Sequence, residues 1–137
     1  MLTITGIIIS GLGVATQTVA QQKPEFIARD LPDMSSMHSA TMNVNINPNT
    51  FRIINYDYFF KEVQWDKDKI EDFGFIKIEN IIFERKPYGY PGYIYIPCNS
   101  PHFTNHSQFE IISKFIPNVA YGKTISITVD SNKLEII

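Results

Sequence analysis

Thr41-Met42-Asn43-Val44-Asn45-Ile46 alternates without a break, with Met42, Val44 and Ile46 on one side and Thr41, Asn43 and Asn45 on the other. A period of two marks a strand with one buried face, because successive side chains leave a pleated backbone in opposite directions. Asn47-Pro48-Asn49 ends the run, since these residue types favour a turn. The same alternation recurs in Phe73–Phe83: Phe73, Phe75, the Lys77 stem, Glu79 and Ile81 face one way, and Ile76, Ile78 and Ile82 mostly the other. Leu2–Ile9, Val14–Ala20, Tyr58–Trp65 and Tyr93–Ile96 also read as strands, the last stopped by Pro97. Thr124–Val129 and Leu134–Ile137 flank Asp130-Ser131-Asn132-Lys133, which reads as a terminal hairpin. Isoleucine occurs 22 times against four leucines, a bias toward β-branched side chains that fit a sheet.

Helix signals are sparse. His106–Ile116 has helical spacing, with Phe109, Ile112, Phe115 and Ile116 on one side. Pro24–Asp33 holds a short helical turn at best, interrupted by Pro32. The fold expected is mainly β: one domain, most simply a small barrel with one main α-helix.

Composition narrows the function. At 137 residues the chain makes one domain, and 44% hydrophobic against 19% charged residues excludes disorder. Twelve basic and 14 acidic residues leave a net charge of −2, with no basic stripe to meet a phosphate backbone, so no nucleic-acid partner is expected. The longest apolar run is far below the ~20 residues of a membrane helix, so no membrane partner is expected either. Residues 1–22 carry no charged side chain, yet a leader peptide should begin with Lys or Arg, so they read as a strand and a glycine turn. Cys98 is the sole cysteine, which excludes a disulfide framework and suits a reducing cytoplasm.

Three places can carry chemistry. Ser10-Gly11-Leu12-Gly13 follows the first strand, where glycines let backbone N–H groups approach an anion; taken alone, it reads first as a tight turn. Thr41 and Asn43 lie two apart on one strand face, presenting a hydroxyl and a carboxamide oxygen that suit Mg²⁺ when phosphates supply the charge; the alternative is a polar outer face. Pro97–Glu110 holds Ser100, His102, His106 and Glu110, where a carboxylate near hydroxyls and histidines can act as a general base. Glu110 reads equally as a helix-start acid with Asn105 as cap, and two histidines alone make no metal site.

The order of these features resembles a known family. Gly6-x-x-x-Ser10-Gly11-Leu12-Gly13 is similar to the opening of archaeal CTP-dependent riboflavin kinases, which have a six-stranded cradle-loop barrel. Ala40-Thr41-Met42-Asn43 stands where that family has Gly-Thr-Leu-Asn, and Phe73-Gly74-Phe75-Ile76 loosely matches its Phe-Gly-Val-Lys. Ile96-Pro97, Ser100, His102, Glu110-Ile111-Ile112 and Gly122-Lys123-Thr124 follow in the family's order. The resemblance implies a Mg²⁺-dependent phosphotransferase that moves a phosphoryl group from a nucleoside triphosphate, CTP in the family, to a riboflavin-like small alcohol. It implies Thr41 and Asn43 as magnesium ligands, and Gly11, Leu12, Gly13, Val14, Ala15 and Thr16 as the phosphate-binding stretch. Ser100, His102 and Glu110 would meet the flavin substrate, with Glu110 orienting or deprotonating the attacking hydroxyl. The chain departs from the pattern after Glu110-Ile111-Ile112, where the family's Lys/Arg-bearing loop is replaced by Phe115-Ile116-Pro117-Asn118, leaving Lys114 or Lys123 as substitutes.

Two other functions fit the residues. One is a non-catalytic barrel that binds a small ligand or nucleotide. The other is a protein-interaction module, suggested by Tyr56-Asp57-Tyr58-Phe59-Phe60 and by Tyr88, Tyr90, Tyr93 and Tyr95, although alternating tyrosines also serve ordinary sheet packing.

Overall fold

A computed structural model describes residues 1–10, 16–84, 86–88, 92–98 and 106–137. Among these described residues ten strands form: β1 (Leu2–Ser10), β2 (Met42–Asn45), β3 (Phe51–Ile53), β4 (Tyr58–Asp66), β5 (Lys69–Phe83), β6 (Lys86–Tyr88), β7 (Gly92–Pro97), β8 (Gln108–Ser113), β9 (Thr124–Val129) and β10 (Leu134–Ile136). The α-helix α1 (Thr16–Ala28) follows β1, and a 3₁₀ turn spans Met34–Ser36. The antiparallel order β5-β7-β8-β2-β1-β9 closes where β9 pairs back onto β5, giving the expected six-stranded barrel. No helix among the described residues is long and apolar enough to cross a membrane.

The 15-residue β5 makes closure possible. Its first half pairs with β4 and β7, and its second half, from Ile78 to Phe83, with β9. A register shift between Ile78 and Asn80 changes which parity faces inward. Ile76 and Ile78 fill the interior before it, and Ile81 and Phe83 after it, so Ile81 does not share a face with Phe73 and Phe75 as strict alternation implies. Met42, Val44 and Ile46 enter the same interior, as read from the sequence.

Three element assignments are corrected. His106–Ile116 is not a helix: β8 runs through it, hydrogen-bonded to β2 on one side and β7 on the other. Phe109 and Ile111 point into the barrel and Ile112 points out under α1, so a strand buried on both faces imitates helical spacing. The helix lies instead where Val14–Ala20 reads as a strand: Thr16–Ala20 opens α1, while Val14 and Ala15 lie outside the described residues. The turns of α1 bury Val19, Gln22 and Phe26, and a polar residue on that stripe hides its period. α1 ends in a Schellman arrangement, with Asp30 at φ 60°, Asp30 N–H donating to Ile27 O and Leu31 N–H to Phe26 O. The terminal hairpin also fails to form, because β10 pairs with β3 rather than β9, and Leu134 and Phe51 join the barrel interior.

A second apolar cluster covers the outside of the β4-β5-β7-β8 wall. Phe26 sits edge-on to Phe73 and Phe75, with ring centroids 5.0 Å from each. Leu31, Met34 and Met37 extend this layer toward β2, and Tyr93 and Tyr95 are buried in it. Those two tyrosines are packing residues; the side chains of Tyr88 and Tyr90 lie outside what is described.

Candidate functional site

One row of paired residues crosses the outer wall. Ser10 pairs with Asn43, Asn43 with Glu110, Glu110 with Tyr95, Tyr95 with Phe75, and Phe75 with Tyr58. Residues directly opposite in an antiparallel ladder project from the same face. The backbone pairing alone therefore places the half-buried Asn43 and Glu110 side by side.

Thr41 completes the group. Its hydroxyl donates to Glu110 Oε1 at 3.2 Å, although its side chain is almost wholly enclosed at 1% exposure. A hydroxyl that gives its proton to a carboxylate keeps its lone pairs free on the other side. Thr41, Asn43 and Glu110 together offer three hard oxygen donors, a set that suits Mg²⁺ better than a softer metal. Glu110 is a strand residue, so its reading as a helix-start acid falls away.

The helix anchors the far side of this row. The Tyr95 hydroxyl donates to Gln22 Oε1 at 2.5 Å, and Gln22 is buried at 1% exposure. Burial first, then the negative charges of Glu110 and Glu71, hold the Tyr95 hydroxyl well above its ordinary value, so it stays protonated. Lys23 Nζ donates to Met37 O at 2.7 Å, tying α1 to the segment that leads into Thr41. Tyr95 reads from the sequence only as one of the strand tyrosines, and the only signal for Gln22 is a polar residue at the Val19–Phe26 spacing.

A cavity of about 280 Å³ opens beside Thr41, between residues 38–42 and 113–119. Met42, Ile111, Ile116 and Val119 give it an apolar wall, while His38 and Lys114 contribute polar groups. The His38 ring lies edge-on to Phe115 at 5.6 Å, and the His38 backbone N–H donates to Ser113 O at 2.8 Å. The fold brings His38, far from Glu110 in sequence, to this opening.

Gly11, Leu12, Gly13, Val14, Ala15, Ser100 and His102 lie outside the described residues, and Thr16 is the first residue of α1. His106 meets Phe51 edge-on at 6.2 Å, away from Thr41's cavity wall. Cys98 lies against Tyr56, whose hydroxyl is 3.8 Å from the sulfur, and burial pushes the thiol up. Compared with protein-family models and with curated proteins, the chain matches none.

Proposed function

We propose that this chain is a Mg²⁺-dependent phosphotransferase, moving the terminal phosphoryl group of a nucleoside triphosphate, CTP by resemblance, to a small riboflavin-like alcohol. One observation carries the reading: Thr41, Asn43 and Glu110, drawn from motifs far apart in the chain, meet through one hydrogen bond and one ladder pair. Composition alone gives no reason for that meeting.

Thr41 and Asn43 would hold the metal, with the Thr41 hydroxyl oriented by Glu110. Bound there, Mg²⁺ would neutralise phosphate charge. The cavity beside Thr41 would take part of the nucleotide or of the acceptor. Glu110 would receive the acceptor's hydroxyl proton as the acceptor oxygen bonds to the terminal phosphorus, the bridging O–P bond breaks, and the nucleoside diphosphate leaves. The reading takes the protein to be cytoplasmic, where nucleoside triphosphates are plentiful.

A thermal-shift panel of the four ribonucleoside triphosphates, with and without Mg²⁺, tests this on wild type and Asn43→Ala. A ligand at 100 times its dissociation constant adds about 2.7 kcal/mol of stability. A shift that needs both Mg²⁺ and Asn43, followed by a phosphorylated product with riboflavin, is expected. No shift with any nucleotide overturns the reading. A second reading, a non-catalytic small-ligand barrel, is favoured by the apolar cavity wall; nucleotide or small-molecule binding without product formation would select it.

A further inference from the structure

Lys114 and Lys123 both lie near the cavity beside Thr41, but the fold treats them differently. Lys123 Nζ donates to Glu84 Oε1 at 2.7 Å and to Asn118 O at 3.0 Å, and it stands over the Phe83 ring at 5.5 Å. An ammonium has three donors, and these partners occupy two of them and neutralise its charge. Lys114 lines the cavity itself and is exposed. Among the described residues lining that cavity, it is the one Lys or Arg. Arg29, Arg52, Lys77 and Lys133 are each paired with an acid elsewhere on the surface.

A cavity with an apolar wall and, at its edge, one cation with no acidic partner among the described residues suits a small molecule with an apolar body and an anionic end. The negative charge of Glu110, one hydrogen bond behind Thr41, makes such a cation more necessary, because an anion near Thr41 otherwise meets a carboxylate. We infer that Lys114, and not Lys123, supplies the side-chain charge that holds the anionic end of the ligand in this cavity. The inference deepens the phosphotransferase reading and rests on it for the identity of the anion as a nucleotide's polyphosphate. The shared chemistry, a polyanion on an ammonium, belongs equally to inorganic polyphosphate.

Isothermal titration with Mg²⁺-CTP and with Mg²⁺-tripolyphosphate, at low and high salt, separates these sources. The proteins are wild type, Lys114→Met and Lys123→Met, with melting temperatures recorded for each. Lys114→Met is expected to weaken binding about tenfold or more and to flatten the salt dependence, with little change in melting temperature. Lys123→Met is expected to bind as wild type does. Nucleotide binding unchanged in Lys114→Met, or weakened equally in Lys123→Met, overturns the inference and leaves the phosphotransferase reading standing. Tripolyphosphate binding that depends on Lys114, without CTP binding, keeps the inference and removes CTP as the ligand. Binding of neither probe by wild type overturns both.

Discussion

The Thr41 hydroxyl donates to Glu110 Oε1 at 3.2 Å across 69 residues of sequence. The bond runs diagonally beside the Asn43–Glu110 pair, so a strand-leading residue and two ladder residues converge on one patch of the barrel wall. Thr41→Val keeps the shape and deletes the donor, leaving Glu110 against a methyl group. Its expected cost is about 1–3 kcal/mol, the usual range when a charged acceptor loses a partner. Thr41→Ser keeps the hydroxyl and is expected to lose less than about 1.5 kcal/mol. Urea unfolding of both variants is the check, and equal stability of Thr41→Val and wild type would mean the bond is not formed in solution.

Two glycines tolerate a methyl differently because different atoms stand in its way. A Cβ on Gly6 of β1 would meet Asn45 O at 2.8 Å and Val44 Cγ1 at 2.5 Å, so backbone in the paired strand must move. A Cβ on Gly74 of β5 would run into the Tyr56 ring, which can swing away. Both Gly→Ala changes are expected to destabilise by about 1–3 kcal/mol, with Gly6→Ala the worse. Adding Tyr56→Ala to Gly74→Ala should recover part of the loss in a double-mutant cycle, whereas no single side-chain deletion should rescue Gly6→Ala.

The buried tyrosines predict alkaline sensitivity. Burial, then Glu110 and Glu71, raises the Tyr95 hydroxyl above its ordinary value of 10.0, and burial pushes Tyr56 up to about 12. The folded chain therefore keeps these protons when the unfolded chain has lost them. The stabilisation is fully present below pH 10 and is lost as pH rises from there through the folded-state values, at up to about 1.4 kcal/mol per pH unit for Tyr95. Tyr95→Phe should lessen that alkaline slope and also lower stability at pH 7, since buried Gln22 loses its donor. Urea midpoints from pH 8 to pH 11 measure both effects.

The barrel was legible because its strands follow a period of two or carry β-branched residues, and Met42, Val44 and Ile46 point inward as the alternation requires. The helix was not legible. Its buried stripe is Val19, Gln22 and Phe26, its interior holds Pro24, and Asp30 stands where glycine usually ends a helix. β8 misled for the opposite reason, since burial of both faces erased the alternation that identifies a strand. Of the site, Thr41, Asn43 and Glu110 were named from sequence, but their meeting depends on β2 pairing with β8, a long-range register that local pattern does not encode. His38 and Lys114 reach the cavity through loop paths, which carry no periodic signal at all.

Glu110→Gln separates binding from chemistry. The carboxamide is nearly isosteric, and its oxygen still accepts the Thr41 hydroxyl, so the ladder pair with Asn43 and the orientation of Thr41 survive. What disappears is the negative charge and the ability to take up a proton. If Glu110 accepts the proton of the attacking hydroxyl, turnover should fall by about 10²-fold or more while the Mg²⁺-dependent nucleotide shift stays within a few-fold of wild type. A comparable loss of nucleotide affinity would instead make Glu110 part of the metal or phosphate site. Removing its charge should then also alter the Mg²⁺ concentration needed for the shift, so titrating Mg²⁺ at fixed nucleotide tells the two roles apart without a product assay.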